Sequence, residues 1–177
     1  MSMRKKQRRN NGEGRILMKT AVCPGSFDPI TTGHLDIITR ASALFDRVIV
    51  LISVNAAKKT AFSLEERAEL ARRAVAHLPN VEVDFFSGLL VDYVEKQNAD
   101  AIVRGLRAMS DFEYEFQMAL ANKKLNPRAE TVFLSTAAEN MYVSSSLVRQ
   151  IASFGGSISG LVPECIEGPI RARFAGE

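Results

Sequence analysis

The feature that most constrains this chain is a regular alternation of short apolar segments with amphipathic segments along most of its 177 residues. The apolar segments have the length of strands buried on both faces: residues 19–23, 47–54, 81–86, 101–103 and 131–134. Segments with helical spacing lie between them: residues 35–45, 64–77, 89–97 and 111–125. Such strands, separated by helices, predict a parallel sheet with right-handed crossovers. We therefore expect an α/β fold, a single doubly wound domain with a five-stranded parallel sheet.

Capping signals support this division into elements. Two S-x-x-E sequences predict capping boxes at helix starts, namely Ser63 with Glu66 and Ser110 with Glu113. After the fifth strand, Ser145 or Ser146 is placed to cap a helix that runs to Phe154, and Pro163 begins a last helix. We therefore expect C-terminal helices to follow the sheet.

Composition narrows the class of protein. The chain is 46% hydrophobic and 24% charged, which is ordinary for a globular domain, and no apolar run has transmembrane length. We expect residues 18–177 to form one domain with no membrane partner. Cys23 and Cys165 are far apart and have no CxxC spacing, so they predict neither a disulfide framework nor a zinc site. This cysteine usage fits a reducing, cytoplasmic compartment.

The positive charge of the chain is concentrated near its first residue. Lysines and arginines crowd the first ten positions, and no apolar segment of a secretory signal follows them. Residues 1–17 are therefore predicted to be a disordered basic extension. Outside this extension the charge excess largely disappears, so we expect no nucleic-acid partner.

A loop of distinctive composition joins the first strand to the first helix. Residues 24–34 read PGSFDPITTGH. At such a turn the first N–H groups of the helix and the positive end of its dipole face outward and favour an anion. Thr31 or Thr32 is placed to cap the helix, Gly33 lets a ligand approach the backbone, and His34 lies in the first turn. The loop therefore predicts a phosphate site.

Other candidate functional residues follow the other strands. Lys58 follows the second strand, Leu90 the third, Arg104 and Arg107 the fourth, and the serines of residues 144–146 the fifth. Ligands of open parallel sheets bind at the carboxyl ends of the strands, near the point where strand order reverses. We therefore expect these scattered residues to lie on one rim of the sheet.

The loop of residues 24–34 resembles the first signature of the nucleotidyltransferases with a T/HxGH motif. Within that superfamily the chain resembles the bacterial phosphopantetheine adenylyltransferases, and three further blocks carry the resemblance: residues 58–59, residues 104–107 with 111–115, and residues 144–149. Thr31 stands where many members of the superfamily have a first histidine, which we interpret as a mark of the subfamily. The resemblance implies a Rossmann-like nucleotidyltransferase fold.

The resemblance also implies an activity. It is the transfer of the adenylyl group of ATP to 4′-phosphopantetheine, which gives dephospho-coenzyme A and pyrophosphate. Mg²⁺ is the implied cofactor, carried on the ATP phosphates with no metal ligand from the protein. The implied assembly is a homohexamer, and coenzyme A is a further candidate ligand of the same site.

The roles implied for individual residues follow the chemistry of two anions that must be held together. The implied catalytic residues are His34, which stabilises the transition state, Lys58 and Arg107. The implied ATP-binding residues are Ser26, Phe27, His34, Gly105, Leu106, Arg107, Glu115, Asn140, Met141, Tyr142, Val143, Ser144, Ser145 and Ser146. The residues implied to bind the acceptor substrate are Ser26, Lys58, Leu90 and Arg104.

Two alternatives remain at this stage. A sister nucleotidyltransferase that acts on nicotinate mononucleotide or a polyol phosphate would share the first loop and the serine block. A catalytically silent nucleotide-binding or RNA-binding protein would use the basic extension. The combination of residues 104–107 with residues 111–115 favours the pantetheine enzymes.

Overall fold

A computed structural model describes residues 19–54 and 59–175. The predicted extension of residues 1–17, the predicted domain start at residue 18, and Lys58 lie outside the described residues. The described elements are β1 (Thr20–Gly25), α1 (Thr32–Leu44), β2 (Arg47–Ser53), α2 (Leu64–Val75), β3 (Val81–Phe86), α3 (Leu90–Lys96), β4 (Ala101–Leu106), α4 (Met109–Leu125), β5 (Glu130–Ser135), a short 3₁₀ helix (Ala138–Asn140), α5 (Ser145–Ser153) and α6 (Glu164–Phe174). The predicted fold class is confirmed.

The five strands are parallel and lie in the order β3-β2-β1-β4-β5. The strand order therefore reverses between β1 and β4, as in other doubly wound sheets. Strand β1 pairs with β2 along its whole length. Its pairing with β4 is confined to Ala21 opposite Ala101 and Val22 opposite Ile102. Past these two pairs the carboxyl ends of β1 and β4 separate, and a gap opens in the middle of the sheet.

The two faces of the sheet bury separate cores. Helices α1, α2, α5 and α6 pack on one face, against strand residues that include Ala21, Val50 and Val103. Helix α3 packs on the other face, where Tyr93 contacts the cluster around Val22 and Ile102. Alternate residues of β1 and β4 thus enter opposite cores, which explains why these strands are apolar on both faces.

Three predicted boundaries are corrected by the structure. Helix α5 is capped by Ser144, whose Oγ accepts a hydrogen bond from the N–H of Leu147, and not by Ser145 or Ser146. Strand β4 continues to Leu106, so Arg104 lies inside the strand and not after it. Helix α4 begins at Met109 with Ala108 as its N-cap, so Ser110 is already inside the helix and the predicted capping box there is wrong. The box formed by Ser63 and Glu66 is confirmed. Within the described ranges, no helix is both long and apolar enough to cross a membrane.

Helix α1 lies close to β4 at Gly105. A Cβ added to Gly105 would lie 2.8 Å from Cγ1 of Ile37, which is closer than real side-chain contacts. The absence of a side chain at this position therefore sets the distance between α1 and the sheet. Because α1 carries His34 in its first turn, the same contact sets the height of that histidine above the strand ends.

We expect Gly105→Ala to lower the free energy of unfolding by about 1–3 kcal/mol, since the added methyl group must push Ile37 aside. Gly33→Ala is the matched control, because a Cβ there would meet its nearest neighbours at 3.6 Å, an ordinary contact. Denaturant titration of both variants checks the difference. Equal stabilities would show that α1 does not depend on this close approach.

Candidate active site

A pocket of about 500 Å³ opens where β1 and β4 separate. Its floor consists of the last residues of β1 and the middle of β4, which are not paired with each other. Its walls are the first turns of α1 and α5 and one face of α4. The loop after β1, the arginine block of β4 and the serine block of α5 are therefore brought together, although they are distant in sequence.

Most of the predicted site residues line this pocket. They are Ser26, Phe27, His34, Arg104, Gly105, Arg107, Glu115, Val143, Ser144, Ser145 and Ser146. Leu106, Leu90, Asn140, Met141 and Tyr142 lie outside the lining. Leu106 ends β4, and Leu90 begins α3 and packs against its core. Asn140 ends the 3₁₀ helix beside Gly33, and the exposed Met141 and Tyr142 follow it.

Some lining residues were not predicted from the sequence. Thr136 follows directly after β5, so the strand-end rule that selected the other candidates would have found it. Asp111 and Tyr114 enter the lining from α4, together with Glu115. Asp111 and Glu115 are four residues apart, which puts their carboxylates on one face of the helix.

The loop before α1 is held by specific contacts. The ring of Phe27 meets the ring of His34 edge to face, with centroids 5.1 Å apart. Phe27 has a φ of 46°, and a Cβ on Gly25 would lie 2.9 Å from its ring. The buried Arg67 of α2 donates a hydrogen bond of 2.7 Å from Nη1 to the carbonyl of Ser26. The loop is therefore shaped before any ligand binds.

His34 belongs to a capping box with Thr31, which resolves the choice between Thr31 and Thr32 as the cap. The His34 N–H donates to Oγ1 of Thr31 at 3.3 Å, and the Thr31 N–H donates to Nδ1 of His34 at 3.1 Å. Because Nδ1 accepts a hydrogen bond from the backbone, we infer that the proton of the neutral ring is on Nε2. The cap therefore fixes both the direction and the tautomer of the imidazole.

The surroundings of His34 keep its ring neutral. Burial, and after it the positive charges of Arg107 and Arg104, lower the pKa of His34 to about 4. At physiological pH the free protein therefore has an uncharged donor at Nε2 in the wall of the pocket. Such a group can donate a hydrogen bond to a phosphate oxygen without first losing or gaining a proton.

Gly33 leaves the backbone in the first turn of α1 without a side chain. An added Cβ would make only ordinary contacts with Asn140, so protein packing does not demand a glycine here. Glycine is also a poor helix former, at a cost of about 0.8–1.0 kcal/mol relative to alanine. A ligand that comes close to the helix N-terminus supplies a reason for the glycine that the fold does not.

The three serines at the start of α5, of which Ser144 is the N-cap, differ in the hydrogen bonds that their hydroxyl groups can still donate. Ser145 uses its hydroxyl hydrogen on the carbonyl of Pro29, at 2.8 Å. Oγ of Ser144 accepts from the N–H of Leu147, and Oγ of Ser146 accepts from Nη2 of Arg149. The hydroxyls of Ser144 and Ser146 thus act as acceptors in these contacts and keep a hydrogen to donate. The N-terminus of α5 adds backbone donors to the same wall.

Both arginines of the pocket are paired with carboxylates of α4. Arg104 donates two hydrogen bonds to Glu115, from Nε to Oε2 at 2.6 Å and from Nη2 to Oε1. Its Nη1 donates to the carbonyl of Pro24 at 2.6 Å. Arg107 donates from Nε to Asp111 at 3.1 Å and from Nη1 to the carbonyl of Val143 at 3.2 Å. An anion that binds the Nε–Nη2 edge of Arg104 must therefore replace Glu115.

The carboxylates of the pocket do not form a metal centre. Within the described part of the chain, no group of three or more His, Cys, Asp or Glu residues is placed to hold a metal ion. Asp111 and Glu115 are the acidic residues of the lining, and each is already paired with an arginine. The donor set of this pocket therefore suits phosphate better than a bare cation.

Comparison with known proteins identifies similar chains. The Cytidylyltransferase-like family model matches residues 22–151. A phosphopantetheine adenylyltransferase of Clostridium tetani is 63% identical over 147 residues, 83% of this chain and 92% of that protein. The enzymes of that name from Caldanaerobacter subterraneus and Carboxydothermus hydrogenoformans are 55% and 56% identical, over 89% and 90% of this chain and 98% and 99% of their own lengths.

A solved structure shares the fold. A Vibrio parahaemolyticus protein, provisionally assigned as a nicotinate-nucleotide adenylyltransferase, superposes with a TM-score of 0.68 over 87% of this chain and 99% of its own. Its sequence identity is 19%, so this likeness bears on the fold alone.

The capping box predicts a defined state for His34. In long-range ¹H–¹⁵N correlation spectra of the free protein at pH 6, the His34 ring should be neutral with its proton on Nε2, and it should titrate only near pH 4. His77 is the other histidine of the chain, so a His77→Gln variant assigns the signals. A midpoint near 6.5, or a proton on Nδ1, would contradict the inferred state.

Proposed function

The chain belongs to the phosphopantetheine adenylyltransferases of the Cytidylyltransferase-like family, and from this premise we propose that it transfers the adenylyl group of ATP to 4′-phosphopantetheine. The products are dephospho-coenzyme A and pyrophosphate. One observation carries the proposal: two helix N-termini, two arginines and a neutral histidine donor converge on a single pocket at the strand-order reversal. That arrangement suits a reaction between two phosphorylated substrates.

The chemistry is a direct displacement. An oxygen of the acceptor phosphate forms a bond to the α-phosphorus of ATP, and the bond from that phosphorus to the bridging oxygen breaks. The electron pair of the broken bond leaves with pyrophosphate. Because the substrate brings its own nucleophile, the protein has to position two anions and stabilise the charge that moves between them.

The proposed phosphate-binding groups divide between the two substrates. Arg104 and Lys58 are assigned to the acceptor phosphate. The guanidinium of Arg104 can bind two phosphate oxygens at once, and the ammonium of Lys58 adds a positive charge on a flexible side chain. Arg107 and the N-terminus of α5 are assigned to the triphosphate. His34 is assigned to the α-phosphate, where its Nε2 hydrogen meets the charge that develops as pyrophosphate leaves.

Binding of the acceptor implies an exchange of partners at Arg104. The phosphate takes the place of the Glu115 carboxylate, so one anion replaces another and the arginine is never left unpaired. The released Glu115 is then available to the ribose hydroxyls of ATP, the role that the family resemblance assigns to it. Binding of the acceptor at this edge of Arg104 therefore requires a side-chain rearrangement at the pair.

Mg²⁺ is proposed to arrive on the ATP phosphates, where it would neutralise charge on the leaving pyrophosphate. Dephospho-coenzyme A leaves from the same pocket, and coenzyme A contains the same phosphopantetheine arm, so it is proposed as a further ligand there. The proposed compartment is the cytoplasm.

We also propose that the chain assembles as a homohexamer. Helix α4 supports self-association because many of its large apolar side chains are exposed: Phe112, Tyr114, Phe116, Met118, Leu120 and Leu125. Exposed apolar surface of this extent marks interaction sites. Native mass spectrometry measures the assembly, and a monomer at micromolar concentration would overturn this part of the proposal.

The activity is tested by supplying ATP and Mg²⁺ with a panel of phosphorylated acceptors and following pyrophosphate release. We expect release with 4′-phosphopantetheine and little with nicotinate mononucleotide or glycerol 3-phosphate. Turnover of nicotinate mononucleotide would favour the sister enzymes, and binding of ATP without turnover of any acceptor would favour a silent nucleotide-binding protein.

Arg104→Ala should raise the KM for phosphopantetheine far more than the KM for ATP. The variant loses a charge-assisted, two-pronged contact to the acceptor phosphate, which costs about 2–4 kcal/mol in a partly desolvated site. Steady-state kinetics with each substrate varied in turn measures the split. Equal effects on both KM values would mean that the arginine does not belong to the acceptor.

His34→Ala should lower kcat by about a hundredfold or more, the effect of losing one preorganised donor. ATP should still bind in calorimetry, because an interaction that strengthens only in the transition state contributes little to ground-state affinity. Weakened ATP binding with a nearly normal kcat would make His34 a binding residue and overturn its proposed role.

A further inference from the structure

The segment of residues 136–143, which connects β5 to α5, forms part of the pocket wall. Its first and last residues, Thr136 and Val143, line the pocket. The carbonyl of Val143 accepts a hydrogen bond from Nη1 of Arg107. The 3₁₀ helix in the middle of the segment lies beside the first turn of α1, where Cβ of Asn140 is 3.6 Å from the position of a Cβ on Gly33. The placement of this segment therefore shapes the pocket.

Two side chains of α1 hold the beginning of the segment. Oδ2 of Asp36 accepts a hydrogen bond from the N–H of Ala137 at 3.2 Å. One turn further along α1, Nη1 of Arg40 donates to the carbonyl of Ser135 at 2.6 Å and lies 3.5 Å from the same Oδ2. The pair thus binds the backbone on both sides of Thr136, and neither side chain takes part in the chemistry proposed above.

The N–H of Ala137 needs a partner from another part of the chain. The N–H of Thr136 still donates to the carbonyl of Leu106, so the pairing of β5 with β4 extends to that residue. Ala137 follows as the N-cap of the 3₁₀ helix, and its side chain makes no capping bond. A half-buried N–H without a partner is costly. Asp36 therefore holds the chain at the point where the sheet no longer does.

We propose that Asp36 is a positioning residue for the nucleotide, which acts through its hydrogen bond to Ala137 by holding residues 136–143 in the wall of the pocket. The inference rests on the proposed function, in which residues 140–146 belong to the ATP site. Asp36 lies on the same helix as His34. Helix α1 thereby fixes the distance between the ATP-binding segment and the donor that is proposed to stabilise the transition state.

The geometry indicates which kinetic constant depends on Asp36. The ring of His34 is held by its capping box with Thr31, and side chains two positions apart on a helix do not face each other. Loss of the Asp36 anchor should therefore loosen residues 136–143 and leave the His34 donor in place. We expect the KM for ATP to rise while kcat and the KM for phosphopantetheine change less than twofold.

The test removes each side of the hydrogen bond in turn. Asp36→Ala removes the acceptor, and Ala137→Pro removes the donor at a φ of −59°, which proline adopts. Each variant should raise the KM for ATP, and its dissociation constant in calorimetry, about fivefold or more. Because both substitutions act on one hydrogen bond, the double variant should match the single variants within about twofold.

Two controls separate positioning from charge and from stability. Asp36→Asn keeps an acceptor oxygen for Ala137 and loses only the partly exposed ion pair with Arg40, so its KM for ATP should stay within about twofold of the unmodified protein. Asp100 accepts the N–H of Thr20 at 2.8 Å, at the opposite end of the sheet. Asp100→Ala should lower the melting temperature and leave the KM for ATP unchanged.

The outcomes are distinct. A normal affinity for ATP in a folded Asp36→Ala or Ala137→Pro variant would overturn the proposal and leave the proposed function intact. Equal rises in the KM values of both substrates, a multiplicative loss in the double variant, or an Asp36→Asn variant as impaired as Asp36→Ala would also overturn it. If neither single variant folds, Asp36 is a purely structural residue.

Failure of the proposed function gives a different result. A protein that binds ATP but releases no pyrophosphate with any acceptor would overturn the function. Calorimetry of ATP with Asp36→Ala and Ala137→Pro would still decide whether Asp36 positions the nucleotide.

Discussion

The site depends on the parting of two neighbouring strands. β1 and β4 share only two residue pairs, and beyond them each strand runs on without the other. Backbone groups in such a gap lose the partners that a sheet supplies, and they must find others. The carbonyl of Pro24 receives a hydrogen bond from Nη1 of Arg104, a side chain of the opposite strand. Pro24 has no N–H to satisfy on that side, so a proline is tolerated in a central strand.

A second consequence of the gap is electrostatic. Two arginines and two positive helix ends lie close together there, and their mutual repulsion opposes folding. Asp111 and Glu115, one turn apart on α4, balance the arginines in the free protein. The carboxylates also hold the guanidinium groups in place before substrate arrives, so less order has to be created during binding. The free pocket thus already contains two carboxylates beside the arginines to which we assign the substrate phosphates.

The fold was predictable from the sequence because its signals are local. The apolar run that predicts a strand buried on both faces, and the capping sequence that predicts a helix start, each lie within a few neighbouring residues. Their alternation along the chain predicts the doubly wound sheet. The bounds of β4 were not predictable in this way, because Arg104 and Gly105 interrupt the apolar run although the backbone remains extended. The start of α4 was missed because its N-cap is Ala108, which makes no side-chain capping bond.

The candidate site was predictable only in part, for the same reason. The rule that ligands bind at strand ends gathered the loop, the arginines and the serines, but the pairing of Arg104 with Glu115 depends on how α4 lies against β4, which no local pattern encodes. The hydrogen bond between the N–H of Ala137 and Asp36 joins positions 101 residues apart and left no signal in the sequence. Lys58 lies outside the described residues, and the roles of individual residues stay predictions.

Gly33 has a consequence for anyone who redesigns this chain. The folded protein leaves room for a methyl group at this position, and the helix would gain from one. A procedure that optimises thermal stability, or an algorithm that fills helices with good helix formers, would therefore select alanine and close the approach to the backbone. Where a substitution would stabilise the fold but is missing from the natural sequence, the backbone at that position is a candidate for contact with a ligand in proteins of this architecture.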